Sequence, residues 1–116
     1  MKKLILLLTA ICITSCNAQN CNTLPKTYTS YADAVSKIIN TTFSITDSVN
    51  TSSSSWITDA NFYSCNDVKG FLVLETTKTN YIFKNVPIRL WNNFKEAKSF
   101  GEFYSKNIRG KFKLAI

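Results

Sequence analysis

Cysteine and lysine are the reactive residue types this sequence supplies, and histidine is the one it withholds. Its 116 residues hold 14 Lys and Arg, 7 Asp and Glu, 4 Cys and no His. Without an imidazole the commonest general base and metal ligand is gone, and Ser-His or Cys-His nucleophile pairs are excluded. Beyond the leader, Cys21 and Cys65 are too few for a four-ligand zinc site. Gly70, Gly101 and Gly110 are too scattered to cradle a phosphate. The acids Asp33, Asp47, Asp59, Asp67, Glu75, Glu96 and Glu102 have no spacing that guarantees a carboxylate pair. What remains is covalent modification of a cysteine and recognition by cations, hydroxyls and aromatic rings. The expectation is a protein that is not an enzyme and needs no cofactor and no metal.

The cysteines divide by context. Met1-Lys2-Lys3 is a positive start, and Leu4 to Ile13 is an apolar run shorter than the ~20 residues of a membrane-spanning helix. Residues 1–15 therefore read as an export signal. Ile13-Thr14-Ser15-Cys16 resembles a bacterial lipobox, which predicts a lipid on Cys16 and a protein anchored in a bilayer of the cell envelope, at the outer membrane or the periplasmic face of the inner one. Ordinary cleavage after Ala18 is the alternative, and it yields a secreted or periplasmic soluble protein. Two readings also stand for Cys21 and Cys65. They pair outside the cytoplasm, or Cys65 is buried on a strand and Cys21 is free in a leader.

Charge concentrates at the C-terminal end. From residue 81 onward Lys84, Arg89, Lys95, Lys98, Lys106, Arg109, Lys111 and Lys113 face only Glu96 and Glu102. Such a face meets phosphates, lipid headgroups or an acidic protein, or is simply solvated. Tyr81, Phe83, Phe103 and Tyr104 beside Arg109 and Lys111 form a possible stacking platform of the kind single-strand binders use. The competing reading puts these rings in the core. Ser54, Ser55 and Ser99 offer hydroxyls to a ligand, and equally serve as caps and turn formers. The candidate ligand-binding residues are thus Tyr81, Phe83, Arg89, Lys95, Lys98, Ser99, Tyr104, Arg109 and Lys111.

The elements that must position these groups follow from periodicity. Residues 16–27, rich in Asn and Thr, read as a flexible tether in which nothing packs. Residues 28–53 hold a helix and a strand: Ser30 with Asp33 suggests a cap for Tyr31 to Ile39, and Phe43, Ile45 and Val49 alternate with Ser44, Thr46 and Ser48. Three strands follow, Trp56 to Cys65 with Trp56, Ala60 and Phe62 on one face, Phe71 to Thr77, and Tyr81 to Val86. Pro87 suits a helix's first position, and the apolar steps after Ile88 carry that helix to Ser99. Ser99 with Glu102 predicts a cap for a second helix, and Gly110 its stop. Phe112, Leu114 and Ile116 suggest a final edge strand. The fold expected is a single α+β domain, a small antiparallel meander of three to four strands with two or three helices layered on its apolar face.

Several of these residues recur as a set. Ser54-Ser55-Trp56-Ile57, Tyr81-Ile82-Phe83, Val86-Pro87, Ala97-Lys98-Ser99-Phe100-Gly101-Glu102-Phe103-Tyr104 and Ile108-Arg109-Gly110-Lys111-Phe112 resemble, in order, the KTSC domain over roughly residues 54 to 112. That module occurs alone in bacterial proteins and at the C-terminus of some lysyl-tRNA synthetases. Phe83 stands where the family's pattern has a second tyrosine. The resemblance carries no settled activity, and its synthetase context implies RNA binding. The expectation is a membrane-anchored envelope lipoprotein whose KTSC-like part, residues 54–116, binds an envelope protein or a cell-wall component. The alternatives are a nucleic-acid module using the basic helices and, remotely, an exported enzyme.

Overall fold

The computed structural model describes residues 19–21, 24–25 and 28–114. The export signal and Cys16 lie outside them. Four strands, β3 (Ile45–Val49), β4 (Ile57–Ser64), β5 (Lys69–Thr76) and β6 (Asn80–Pro87), form an antiparallel sheet in chain order. Three helices accompany it: α1 (Tyr31–Ile39), α2 (Ile88–Lys95) and α3 (Phe100–Asn107). A short parallel pair, β1 (Gln19–Asn20) and β2 (Thr41–Thr42), stands outside the sheet. The result is one α+β domain with an antiparallel meander at its centre.

The two serine-capped helix starts follow the sequence. Ser30 Oγ accepts from the Asp33 amide and Ser99 Oγ from the Glu102 amide, each satisfying one of the donors a helix start leaves unpaired. Pro87 sits one position earlier than expected, as the residue before α2 with extended ψ. The helix stops at Lys95 rather than running to Ser99. Gly110 takes a left-handed φ of +74°, which closes the turn after α3.

Helices cover both faces of the sheet, not one. On the first face Ala60, Phe62, Leu72, Leu74, Phe83 and Val86 pack beneath α2 and α3, which contribute Trp91, Phe94, Phe100, Tyr104 and, just past α3, Ile108. Phe62 stacks flat on Trp91 at 5.4 Å and 9°. On the second face Val73 and Ile82 pack against Ala34 and Ile38 of α1, with Phe43 and Tyr63 beside them. Each large side chain fully buried here stabilises the fold by about 1.5–3 kcal/mol. The reason for two covers is visible in β5: Leu72 and Leu74 point one way, Val73 between them the other, and both sides are apolar.

Two bulges decide which residues share a face. An extra residue at Thr58 lets Ile57 join Ala60 and Phe62, so Trp56 leaves the alternation expected of it and lies at the sheet's end. Another irregularity at Lys84 and Asn85, the latter at φ +60°, lets Phe83 and Val86 point the same way. Phe43 likewise does not share a face with Ile45 and Val49, because Phe43 precedes β3 and packs on Tyr63 and Phe71.

The described segments nearest each terminus are fastened to the body. Within the segment expected to be a tether, the described residues Gln19, Asn20 and Cys21 are held: Cys21 is disulfide-bonded to Cys65, with their Cα atoms 5.8 Å apart, and Gln19 and Asn20 pair with Thr41 and Thr42. Cys65 is exposed just past β4 rather than buried on a strand. Of the expected final strand the described residues show one bridge between Leu114 and Phe83, with the Lys84 amide donating to the Lys113 carbonyl, while Phe112 packs on the core; Ile116 lies outside the described residues.

Candidate functional site

The groups with ligand-binding chemistry gather where the loop before β4 meets the start of α3. Ser54 Oγ accepts from the amides of Trp56 and Ile57, at 3.3 and 3.0 Å, and so turns the chain to place the Trp56 ring. That ring lies on Gly101. A Cβ there would come within 2.5 Å of the indole nitrogen, so the close approach requires glycine. Tyr104, one turn further along α3, meets the ring edge-on at 5.5 Å.

Two hollows adjoin along Trp56. One, about 480 Å³, is lined by Ser54, Ser55, Lys98, Ser99, Gly101 and Lys106 among others. The other, about 370 Å³, is lined by Thr76, Lys78, Tyr81, Tyr104 and Arg109. Trp56 and Ser105 belong to both. The lining is rich in donors. A serine hydroxyl that accepts from a backbone amide, as Ser54 and Ser99 do, still has its own proton to give. The one carboxylate present, Glu102, is engaged by Lys106 at 3.1 Å. Burial pushes the Tyr104 phenol up, neighbouring Tyr81 adds to this, and the Arg109 guanidinium opposes it.

The sequence-expected site residues are therefore only partly brought together. Lys98 and Ser99 line the first hollow, and Tyr81, Tyr104 and Arg109 the second. Phe83 is 3% exposed and Tyr104 6%, which removes their faces from any stacking platform. Tyr81 stacks on Phe83 within the same cluster. Arg89 and Lys111 are exposed but line neither hollow. Lys95 is committed elsewhere, 2.6 Å from Asp47.

Sequence reasoning missed three features. Trp56 was legible as a large ring beside serines, but its contact with Gly101 depends on tertiary packing. Asp47 shares the inward face of β3 with Ile45 and Val49, where it accepts from Trp91 Nε1 at 2.9 Å and from Lys95. Both donors hold its carboxyl below the usual range, Lys95 first and Trp91 next. Asp59 and Glu75 stand directly opposite each other on β4 and β5, beside Tyr31, whose phenol is pushed up by burial and then by these two carboxylates. Among the described residues no three of His, Cys, Asp and Glu converge on a metal-sized space, and no helix is long and apolar enough to cross a membrane.

A third hollow, about 370 Å³, lies beside the disulfide and is lined by Pro25, Tyr28, Tyr63, Phe71 and Lys84 among others. It borders the leader and shares nothing with the Trp56 groove.

Residues 75–112 match the family model of the KTSC domain. The match covers the end of β5, β6, α2, α3 and the turn beyond, and so takes in Tyr81, Ser99, Gly101, Tyr104 and Arg109. It begins later than the resemblance from residue 54 suggested, leaving Ser54 and Trp56 outside. No curated protein and no solved structure matches the chain.

Proposed function

We propose that the protein is an exported, lipid-anchored binding module of the bacterial cell envelope, non-catalytic, with the groove along Trp56 as its ligand site. The observation that carries the binding role is the character of that groove. Hydroxyls, lysines and Arg109 surround an aromatic wall, and its one carboxylate is already paired. Such a lining favours a ligand with acceptors and negative charge, and a carboxylate-bearing segment of the wall or of an envelope protein has that chemistry. The Cys21–Cys65 bond supports the address, since disulfides persist in oxidising compartments. The lipobox-like Ile13 to Cys16 supports lipidation at Cys16.

Two experiments test the reading. Soluble wall fragments titrated against the full chain should change Trp emission, and Arg109→Ala should weaken binding about tenfold, roughly 1.4 kcal/mol. Tighter binding to single-stranded RNA than to any wall fragment at physiological salt would replace this reading with the nucleic-acid one. For the anchor, Cys16→Ser should abolish incorporation of labelled palmitate and release the protein from membranes. Unchanged incorporation would end the lipoprotein assignment.

A further inference from the structure

The disulfide does more than staple the leader, because it fixes which end of the body lies near the proposed lipid. Cys21 follows Cys16 by five positions, a span of at most about 17 Å when fully extended. Were Cys21 unattached, the leash would run on toward Tyr28 at the edge of the α1 cluster. Instead Cys21 is bonded to Cys65, at the turn between β4 and β5, and β1 pairs with β2 just after α1. That turn is stiff. Ser64 Oγ donates to the Lys69 carbonyl at 2.7 Å and accepts from the Asp67 amide, and Asn66 Oδ1 accepts from the amides of Val68 and Lys69.

The same end of the molecule carries two of the three large apolar side chains that stay exposed among the described residues. These are Ile39 (63%) and Val68 (64%), while the third, Leu114 (44%), lies at the β6 edge beside Phe83. Ile39 ends α1 next to β2, which holds the leader, and Val68 is three residues past Cys65. Two cations stand close by: exposed Lys69 follows Val68, and exposed Arg89 follows Ile88, whose amide donates to the Val68 carbonyl at 2.8 Å. Val68 lies between exposed Asp67 and Lys69, and with Arg89 the turn keeps one more cation than anion; apolar tips with such a local balance suit the headgroup boundary of an anionic bilayer. Trp56 is at the other end of β4, whose eight residues span about 26 Å.

We infer that the β4–β5 turn and the end of α1, held by the Cys21–Cys65 bond within a short reach of the lipid, rest on the membrane surface and point the Trp56 groove away from it. This inference rests on lipidation at Cys16. It does not depend on what the groove binds.

The test uses the lipidated full chain in vesicles of phosphatidylethanolamine and phosphatidylglycerol, with and without brominated acyl chains that quench nearby indoles. Val68→Trp and Lys78→Trp each add one indole, at the turn and at the opposite end, and the signal of the unsubstituted protein is subtracted. The emission added at 68 should lose more than about half its intensity, as expected for a group within the ~5–10 Å boundary layer, and that at 78 very little. Opening the bond with Cys21→Ser and Cys65→Ser together should bring the two values together. Equal quenching at both sites in the disulfide-bonded protein, or none at 68 in protein that floats with the vesicles, overturns the orientation while leaving the anchor intact. Unchanged quenching at 68 after the bond is opened overturns the disulfide's part in it. Protein that does not float overturns the anchor and the orientation together.

Discussion

Single residues decide how the helices are fixed to the sheet, and Asp47 shows the division of labour. Its carboxylate takes a hydrogen bond from the Trp91 indole and an ion pair from Lys95, tying α2 to the edge strand β3. Asp47→Asn keeps an acceptor for the indole and loses the ion pair, which at a part-exposed site is worth about 0.2–1 kcal/mol. Asp47→Ala also strands the indole N–H, adding about 1–3 kcal/mol. Denaturant melts of the two variants should therefore differ, with the alanine form clearly the weaker, and equal stabilities would mean the indole bond contributes nothing. Because the folded carboxyl is held below its ordinary value of about 3.9, the contribution is fully present above that value and fades as pH falls through the lowered one. Acid melts of wild type and Asp47→Asn should thus converge at low pH. Gly101 poses the opposite case. Alanine improves helix propensity by up to about 1 kcal/mol, yet its Cβ would strike the Trp56 ring. Gly101→Ala should leave the protein folded, shift Trp56 emission to the red as the ring is pushed outward, and weaken groove binding; unaltered emission would show that the ring does not rest there.

Elements were legible wherever their signal is local. Ser30 and Ser99 gave the helix starts because a cap acts within one turn, and the order of strands followed from short connections. Facing was legible only between bulges. An added residue at Thr58 and another at Lys84 and Asn85 reverse the parity of everything before them; Thr58 gives no sign of it, and Asn85, though a residue type that tolerates its positive φ, does not by its identity fix a bulge there. The side on which α1 packs was illegible for a related reason, since β5 is apolar on both faces and either would accept a helix. Of the groove, Lys98, Ser99 and Arg109 were visible as residue types near the basic end, whereas the meeting of Trp56 with Gly101 joins segments far apart in the chain. Register also creates a contact that spacing could not reveal: Asp59 faces Glu75 across β4 and β5. Like charges opposite each other are unfavourable and unlike charges contribute about 0.2–1 kcal/mol. Glu75→Lys should therefore raise the thermal midpoint at neutral pH, an effect that shrinks in high salt. A lower midpoint would indicate that Glu75 has a favourable contact outweighing the repulsion.

At the scale of the whole molecule the formal charge of +7 invites a reading as a polyanion binder, and the distribution of that charge limits it. Lys37, Lys95 and Lys106 each have a carboxylate partner, and Arg89 and Lys111 lie off the groove. The cations that line it without such a partner among the described residues are Lys78, Lys98 and Arg109. A strand of phosphates held there would release counterions at those three positions, for a slope of log affinity on log salt of about −2, at roughly −0.7 per contact. An interface drawing on the whole basic half would be two or three times steeper. Measured over a salt series with single-stranded RNA, a shallow slope that falls by about 0.7 on Arg109→Ala assigns the anion contacts to the groove. A steep slope indifferent to Arg109 would instead mean that the scattered surface lysines do the binding and that the groove has no part in it. The distinction matters because a few cations beside a fixed ring and several hydroxyls can select one compact ligand. Charge spread over several faces can only accumulate polyanions.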